Sequence, residues 1–290
     1  MAEFINTIDA LGEDVVIDSI IERSVTEFKD NVITTLGSNA FCNCTVLVTV
    51  DLPNAVTIMA NAFSGCTALE SIRLPEFTSA AKNAHSDMFN GLGSLKNVNM
   101  PKLQFMSNAM FASCNALTEI SLPNADVTPA GGGVSYGSGA FQNCPNLVSV
   151  HLPKLSSVPN YFFYAAKKLN YVSLPEVKSI AMRAFESCSS LRKLSFPRLT
   201  SIYGYTEFAG CSSLNALVLG NTDGVVALGN TNSFRDTPIA KGTGYIYVPR
   251  AFVDSYKAAT NWSTYAAQFR ALEDYTVDGT VTGELDETKI

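Results

Sequence analysis

Histidine is almost missing from this chain: His85 and His151 are the only two in 290 residues, and Trp262 is the only tryptophan. So few imidazoles argue against a metal centre. A structural zinc site would also need short C-x-x-C spacings and four convergent ligands, whereas the closest cysteines are Cys42 and Cys44. Long apolar runs are lacking too. No stretch approaches the roughly 18 to 20 residues that a membrane span requires. Lys and Arg number 20 against 26 Asp and Glu, for a net charge of −6. The cations are scattered along the sequence, so the electrostatic footprint of a nucleic-acid-binding protein is absent.

The opening, MAEFINTIDALGEDVV, has no basic n-region and no continuous apolar core. It does not read as a secretory signal. Either export does not use that route or a leader lies outside this sequence, which leaves the cell surface, the extracellular space and a phage particle all open.

What is abundant is repetition. Aligned on an Ala-Phe pair, Phe41, Phe63, Phe89, Phe111, Phe141, Phe163, Phe185 and Phe208 form one column, with Phe234 as a degraded ninth member. Their spacings are 22, 26, 22, 30, 22, 22, 23 and 26 residues. Six residues after each of the first eight stands a leucine, from Leu47 and Leu69 to Leu191 and Leu214. Three further on comes Val50, Ile72, Val98, Ile120, Val150, Val172, Leu194 or Leu217, and two beyond that Leu52, Leu74, Met100, Leu122, Leu152, Leu174, Phe196 or Leu219. The unit is A-F-x-x-C-x-x-L-x-x-V-x-L-P, and a period of about 20 to 29 residues carrying L-x-x-L-x-L marks a leucine-rich repeat.

Alternation at V-x-L is strand periodicity, so each unit supplies a short strand with its apolar side inward. One coil cannot bury that side alone, but stacked coils bury a continuous core. Proline after the last leucine removes an N–H and stops the strand. A second apolar pair, as in Leu155 with Val158 or Val177 with Ile180, pins the return leg. Length alone suggests two ordinary domains, but the repetition predicts one array. Residues 1–35 read as an N-terminal cap with a degenerate repeat: one period back from Phe41, Val25 and Phe28 fall on the strand positions and Ile33 and Leu36 on the return leg. The repeats run over 36–244. A C-terminal cap follows over 245–275, with a strand around Ile246 and Val248 and then helix-spaced Phe252, Tyr256, Trp262, Tyr265, Phe269 and Leu272. A polar tail closes the chain at 276–290.

The recurring AF..C..L..V.LP unit, with the closing segment YVP...VDSYKAATNWSTYA, resembles the BspA-like leucine-rich-repeat family of bacteria over roughly residues 25–275. That resemblance implies an α/β fold: a right-handed solenoid with a parallel β-sheet face, short helical or irregular return legs, and terminal caps. It also implies surface or secreted proteins that bind host matrix or other cells, and some proteins with this unit resemble prophage tail modules.

Six of seven cysteines, Cys44, Cys66, Cys114, Cys144, Cys188 and Cys211, share the slot three residues after the phenylalanine, where other coils place Leu92, Ala166 and Thr237. A slot that accepts Cys, Leu or Ala behaves as a small buried apolar site. Coil spacing near 4.8 Å leaves a disulfide possible by distance, but parallel side chains at equivalent positions do not readily reach the dihedral near 90°. Buried thiols are predicted, with off-column Cys42 the reactive one. GGGVSYGSG at 131–139 lacks the Lys-Ser/Thr of a phosphate loop and its strand-to-helix context. It reads as an insertion in one coil. With no Ser/His/Asp or Cys/His arrangement standing out, neither an enzyme, a cofactor nor a metal is predicted.

The third and fifth positions of L-x-x-V-x-L face outward and include Arg73, Glu119, His151, Tyr171 and Lys193. The larger insertions, at 77–87 and 125–139, with a smaller one near 203, fall between the L-P and the next A-F and should emerge along one edge, which carries Tyr136. Tyr161, Tyr164, Tyr203 and Tyr205 lie on nearby coils. These six residues, Tyr171, His151, Glu119, Arg73, Lys193 and Tyr136, are the candidate binding residues of a monomeric recognition module for a protein or glycan. The competing reading is a structural spacer, for example in a phage tail, with no ligand of its own.

Overall fold

The computed structural model describes residues 16–17, 24–79, 88–127, 138–277 and 280–281. The chain forms two compact units, Met1–Cys144 and Pro145–Ile290. Each is a parallel β-solenoid, and in each the strands arise at the V-x-L positions of the repeat.

In the first unit the strands Glu27–Lys29, Thr49–Asp51, Ser71–Arg73 and Asn97–Asn99 make one parallel sheet. Phe28, Val50, Ile72 and Val98 stand in register across it. The degenerate first coil thus holds the strand position expected of Phe28, and Ile33 and Leu36 are fully buried on its return leg. Strand Glu119–Ser121 continues the same pattern, with Ile120 inward. In the second unit Ser149–His151 pairs with Tyr171–Ser173, and Lys193–Phe196, Ala216–Leu219, Tyr245–Val248 and Phe269–Ala271 form a four-stranded parallel sheet.

The return legs are extended rather than helical. Ser157–Val158, Ser179–Ile180, Ser201–Ile202 and Ala227–Leu228 form a second parallel sheet, and Val16–Ile17, Thr35–Leu36 and Thr57–Ile58 do the same in the first unit. Single bridges link Ser79, Phe105 and Asp126. Four residues such as Leu155 to Val158 would make only the costly nucleus of a helix, whereas stacking gives each backbone group a partner in the next coil.

A third ladder lies at the Ala-Phe turn. The N–H groups of Asn39, Phe41 and Asn43 donate to the carbonyls of Ala60, Ala62 and Ser64 in the following coil, at 3.1, 2.7 and 2.7 Å, and the pattern recurs at Tyr161, Phe163 and Ala165. It depends on two residues with positive φ per coil, two before and two after the phenylalanine: Asn39 and Asn43, Asn61 and Gly65, Ala109 and Ser113, Tyr161 and Ala165, Arg183 and Ser187. These turns aim three alternate N–H groups along the stacking axis. The phenylalanines stack beneath them. Ring centroids are 5.2 Å apart for Phe41 with Phe63 and 5.1 Å for Phe208 with Phe234.

The cysteine column lies in the same layer. All six of its members are buried, and Cys42 is half-exposed. The thiols of Cys66, Cys114 and Cys144 donate to the carbonyls of Phe41, Phe89 and Phe111 one coil earlier, at 3.0, 3.2 and 3.1 Å. Cys188 and Cys211 do the same to Phe163 and Phe185 at 3.1 and 3.0 Å. The slot therefore favours a small group that is apolar overall yet can donate one hydrogen bond, a description that fits a thiol. No disulfide joins the described cysteines, which are free thiols. Burial pushes the Cys66 and Cys144 thiols up to about 12.

The segment after the last repeat packs on the second unit's final coil. After strand Tyr245–Val248 come a helix at Val253–Ala258 and a 3-10 segment at Trp262–Gln268. Tyr256 and Trp262 are fully buried. Phe269 departs from the helical expectation: it begins a strand paired with Ile246, because its backbone can serve the exposed edge of Tyr245–Val248. The indole N–H of Trp262 donates to the Val226 carbonyl at 2.6 Å, the Asn261 side chain to Leu228 at 2.6 Å, and the Tyr265 hydroxyl to Thr231. The Val226 N–H donates to the Tyr256 hydroxyl at 3.0 Å. These bonds satisfy the backbone edge of the last return leg.

Candidate recognition surface

The alternation that buries Val50 or Leu194 turns the intervening side chains outward. In the first unit Arg73, Asn97, Asn99, Glu119 and Ser121 are exposed. Arg73 is not free: its guanidinium sits 2.7 Å from Asp51 in the neighbouring strand, and Lys29 reaches Asp51 from the other side at 3.5 Å. Exposed ion pairs of this kind are worth about 0.2–1 kcal/mol each. Here they fix register along one row, as Glu76 with Lys102 does after the prolines at 2.7 Å. Glu119 forms no ion pair among the described residues.

In the second unit register places Tyr171 beside Ser149, and Ser173 beside His151. His151 is exposed and Tyr171 half-buried, on adjacent strands. Lys193 is half-buried, and its ammonium lies 4.9 Å from the centre of the Tyr275 ring. That contact is intramolecular. Burial lowers the Lys193 pKa from its usual value.

Register also places Tyr245 beside Ala216 and Tyr247 beside Val218. Tyr171 therefore shares the outward positions with two further aromatics. Arg270 stacks on Tyr245 at 4.3 Å, Tyr275 packs edge-on against Tyr247 at 4.6 Å, and Val218 is fully buried although it occupies an outward position. The alternation in YIYV carried this information, since Ile246 and Val248 inward require Tyr245 and Tyr247 outward. The packing of Tyr275 on the sheet had no such signal.

Of the edge tyrosines, Tyr205 is 61% and Tyr203 49% exposed. Tyr161 packs edge-on with Tyr164 and lies under the Arg183 guanidinium at 5.7 Å. Between the two exposed rings, Gly204 has φ +127 and passes so close to the preceding coil that a Cβ would lie 2.8 Å from Met182 Cα. The backbone is pressed inward there while both rings project. Tyr136 and His85 lie outside the described residues, as do 80–87 and 128–137 of the two insertions. The described flanks, Ser79 with Met88 and Val127 with Ser138, put both insertions after the return leg and before the Ala-Phe turn.

Among the described residues no group of three or more His, Cys, Asp or Glu is arranged to hold a metal ion, and no helix is long and apolar enough to cross a membrane.

The model of the BspA type leucine-rich repeat region matches residues 23–131 and 134–244, with six copies. The chain belongs to the BspA-type leucine-rich-repeat family. Proteins of this class generally take part in protein–protein interaction or adhesion, and the solenoid is typically a non-enzymatic binding scaffold. The BspA-type chain is similar to the T. pallidum leucine-rich repeat protein, at 26% identity and a TM-score of 0.53, over 62% of this chain and 83% of that one. A leucine-rich cell surface protein from Faecalibacterium prausnitzii is 22% identical over 72% of this chain and 51% of its own, with a TM-score of 0.48. A leucine-rich repeat protein from Bacteroides ovatus is 21% identical over 89% of this chain and 87% of its own, with a TM-score of 0.36. No curated protein matches the chain.

Proposed function

We propose that this protein is a non-enzymatic recognition or adhesion module that binds a protein or glycan through the outward positions of its strand sheets and the edge bearing its insertions. One observation carries the reading. The inward positions and all three backbone ladders are committed to stacking, whereas most outward ones, Val218 apart, vary from coil to coil between Ser, Asn, Glu, His, Tyr and Lys without a core role. Side chains free of structural duty on a rigid frame are what a binding surface needs.

His151 and Tyr171 belong to this surface in the second unit, Glu119 in the first. Arg73 and Lys193 contribute less, since Asp51 and Tyr275 already engage them. The test is a screen of the purified chain against protein and glycan arrays. Saturable binding to a defined ligand supports recognition, and silence across both arrays favours the spacer reading.

A further inference from the structure

The acidic net charge hides a segregation. Residues 1–144 contain 6 Lys and Arg against 14 Asp and Glu, whereas 145–275 contain 13 against 8. Much of the second unit's cationic surplus gathers at one corner. Lys167 and Lys168 lie four and five residues after Phe163, and Arg192 and Lys193 lie seven and eight residues after Phe185 in the following coil. These positions flank Leu169 and Leu191, each two residues before its strand.

Hydrogen bonding draws the two coils together at this corner. The Ser190 N–H and the Ser189 hydroxyl both donate to the Lys167 carbonyl, at 3.0 and 3.2 Å. Lys167, Lys168 and Arg192 are exposed. None of the four cations forms an ion pair among the described residues, although other cations of the unit do, such as Arg198 with Glu176 and Arg250 with Asp274. The equivalent positions of the adjoining coils hold Pro145, Asn146, Val148 and Ser149 on one side and Ser212, Ser213, Asn215 and Ala216 on the other, none of them a carboxylate. Tyr171, beside this corner, adds a flat ring.

We infer that this corner binds an anionic polysaccharide, whose carboxylate or sulfate groups meet Lys167, Lys168 and Arg192 while a sugar ring lies on Tyr171. This rests on the recognition reading above and names its ligand class. Uncompensated cations attract a polyanion over about a Debye length. Arg192 offers a planar fork for a carboxylate or sulfate. Tyr171 offers an apolar ring face with a polar edge, and the serine and asparagine side chains around it can pair with sugar hydroxyls. An acidic peptide would seek an apolar socket beside the charges, and the chain provides Ser149, Ser173 and Ser195 at the outward strand positions nearby, with a single exposed apolar side chain, Val148, rather than a socket.

The test is biolayer interferometry of the full chain on immobilised heparin, polygalacturonate, dextran, poly-L-glutamate and single-stranded poly(dT), at low and at physiological salt. Binding is expected to heparin or polygalacturonate and not to dextran. The double variant Lys167→Ser, Arg192→Ser should lose about ten-fold in affinity, as expected for two screened surface contacts. The control Lys241→Ser, Lys257→Ser, with equal charge loss elsewhere in the unit, should change it less than about two-fold. Tyr171→Ala should weaken polysaccharide binding and leave any poly-L-glutamate binding unchanged. Equal loss in the two double variants would overturn the proposal, as would poly-L-glutamate or poly(dT) binding as tight as the glycans with Tyr171→Ala neutral. A neutral glycan or protein bound equally by parent and variants would overturn it while leaving the recognition reading in place. Failure of every probe here and on the arrays would remove both.

Discussion

The Cys66 thiol donates a hydrogen bond to the Phe41 carbonyl, 3.0 Å away in the preceding coil. The same bond recurs down the column, so each thiol both fills a small space and holds two coils in register. Cys66→Ala leaves that carbonyl one donor short and opens a small void, and should cost about 1–3 kcal/mol. Denaturant unfolding of the variant measures the loss. In the native protein a thiol reagent should titrate Cys42 alone, and all seven cysteines after unfolding without reductant.

The same column makes a pH prediction. Burial holds Cys66 and Cys144 near 12, above the value of about 8.5 for an unfolded thiol. Below the unfolded value their contribution to stability is fully present. As pH rises from there towards about 12 the unfolded chain ionises first, so stability should fall progressively. Replacing Cys66 and Cys144 with Ala should flatten that decline in denaturation curves measured from pH 8 to 10.

Glu207 behaves similarly at lower pH. It occupies the slot that holds Ala184 one coil earlier and is fully buried, with only the Ser233 hydroxyl and its own backbone N–H, neither in good hydrogen-bond geometry, to offset the burial. Burial raises its pKa. The stabilising form is the protonated one, so its contribution is complete below about pH 4.3 and declines as pH rises through the folded-state value. Glu207→Gln keeps the shape and removes the titration. The melting temperature of the parent should drop relative to this variant between pH 4 and 8, and parallel profiles would contradict the assignment.

Two positive-φ sites, one in a paired turn and one at a close approach between coils, predict opposite effects on substitution. Ala165 holds φ at +58, so Ala165→Gly should stabilise by up to about 1 kcal/mol, since relief of left-handed strain exceeds the added chain entropy. Gly204→Ala should destabilise, because its Cβ would press on Met182 backbone. Thermal unfolding of the two variants checks both signs.

The strands were legible wherever the V-x-L alternation repeats, because a period of two is unambiguous when the inward residues recur eight times. The cysteine slot was legible for a related reason, since one position accepting Cys, Leu and Ala has to be small and buried. The return-leg strands were not, because two residues carry no period. Phe269 read as helical from its spacing to Trp262 and Tyr265, but an open strand edge was the stronger demand on that segment. Of the recognition surface, the outward positions could be listed from alternation. Which of them are already engaged, Arg73 by Asp51 and Lys193 by Tyr275, depends on neighbours one or more coils away. The basic corner looked scattered for the same reason: Lys167 and Lys168 come from one coil and Arg192 from the next, and stacking sets them side by side.

The most direct test of the account is ligand affinity for a chain altered only at outward positions of one sheet. Tyr171→Ala with His151→Ala changes two side chains that the core does not need. Aromatic contact centres contribute about 2 kcal/mol or more, so affinity for the array-defined ligand should fall about thirty-fold while the melting temperature stays unchanged. Equal affinity in parent and double variant would show that the sheet face does not bind, and would contradict the account.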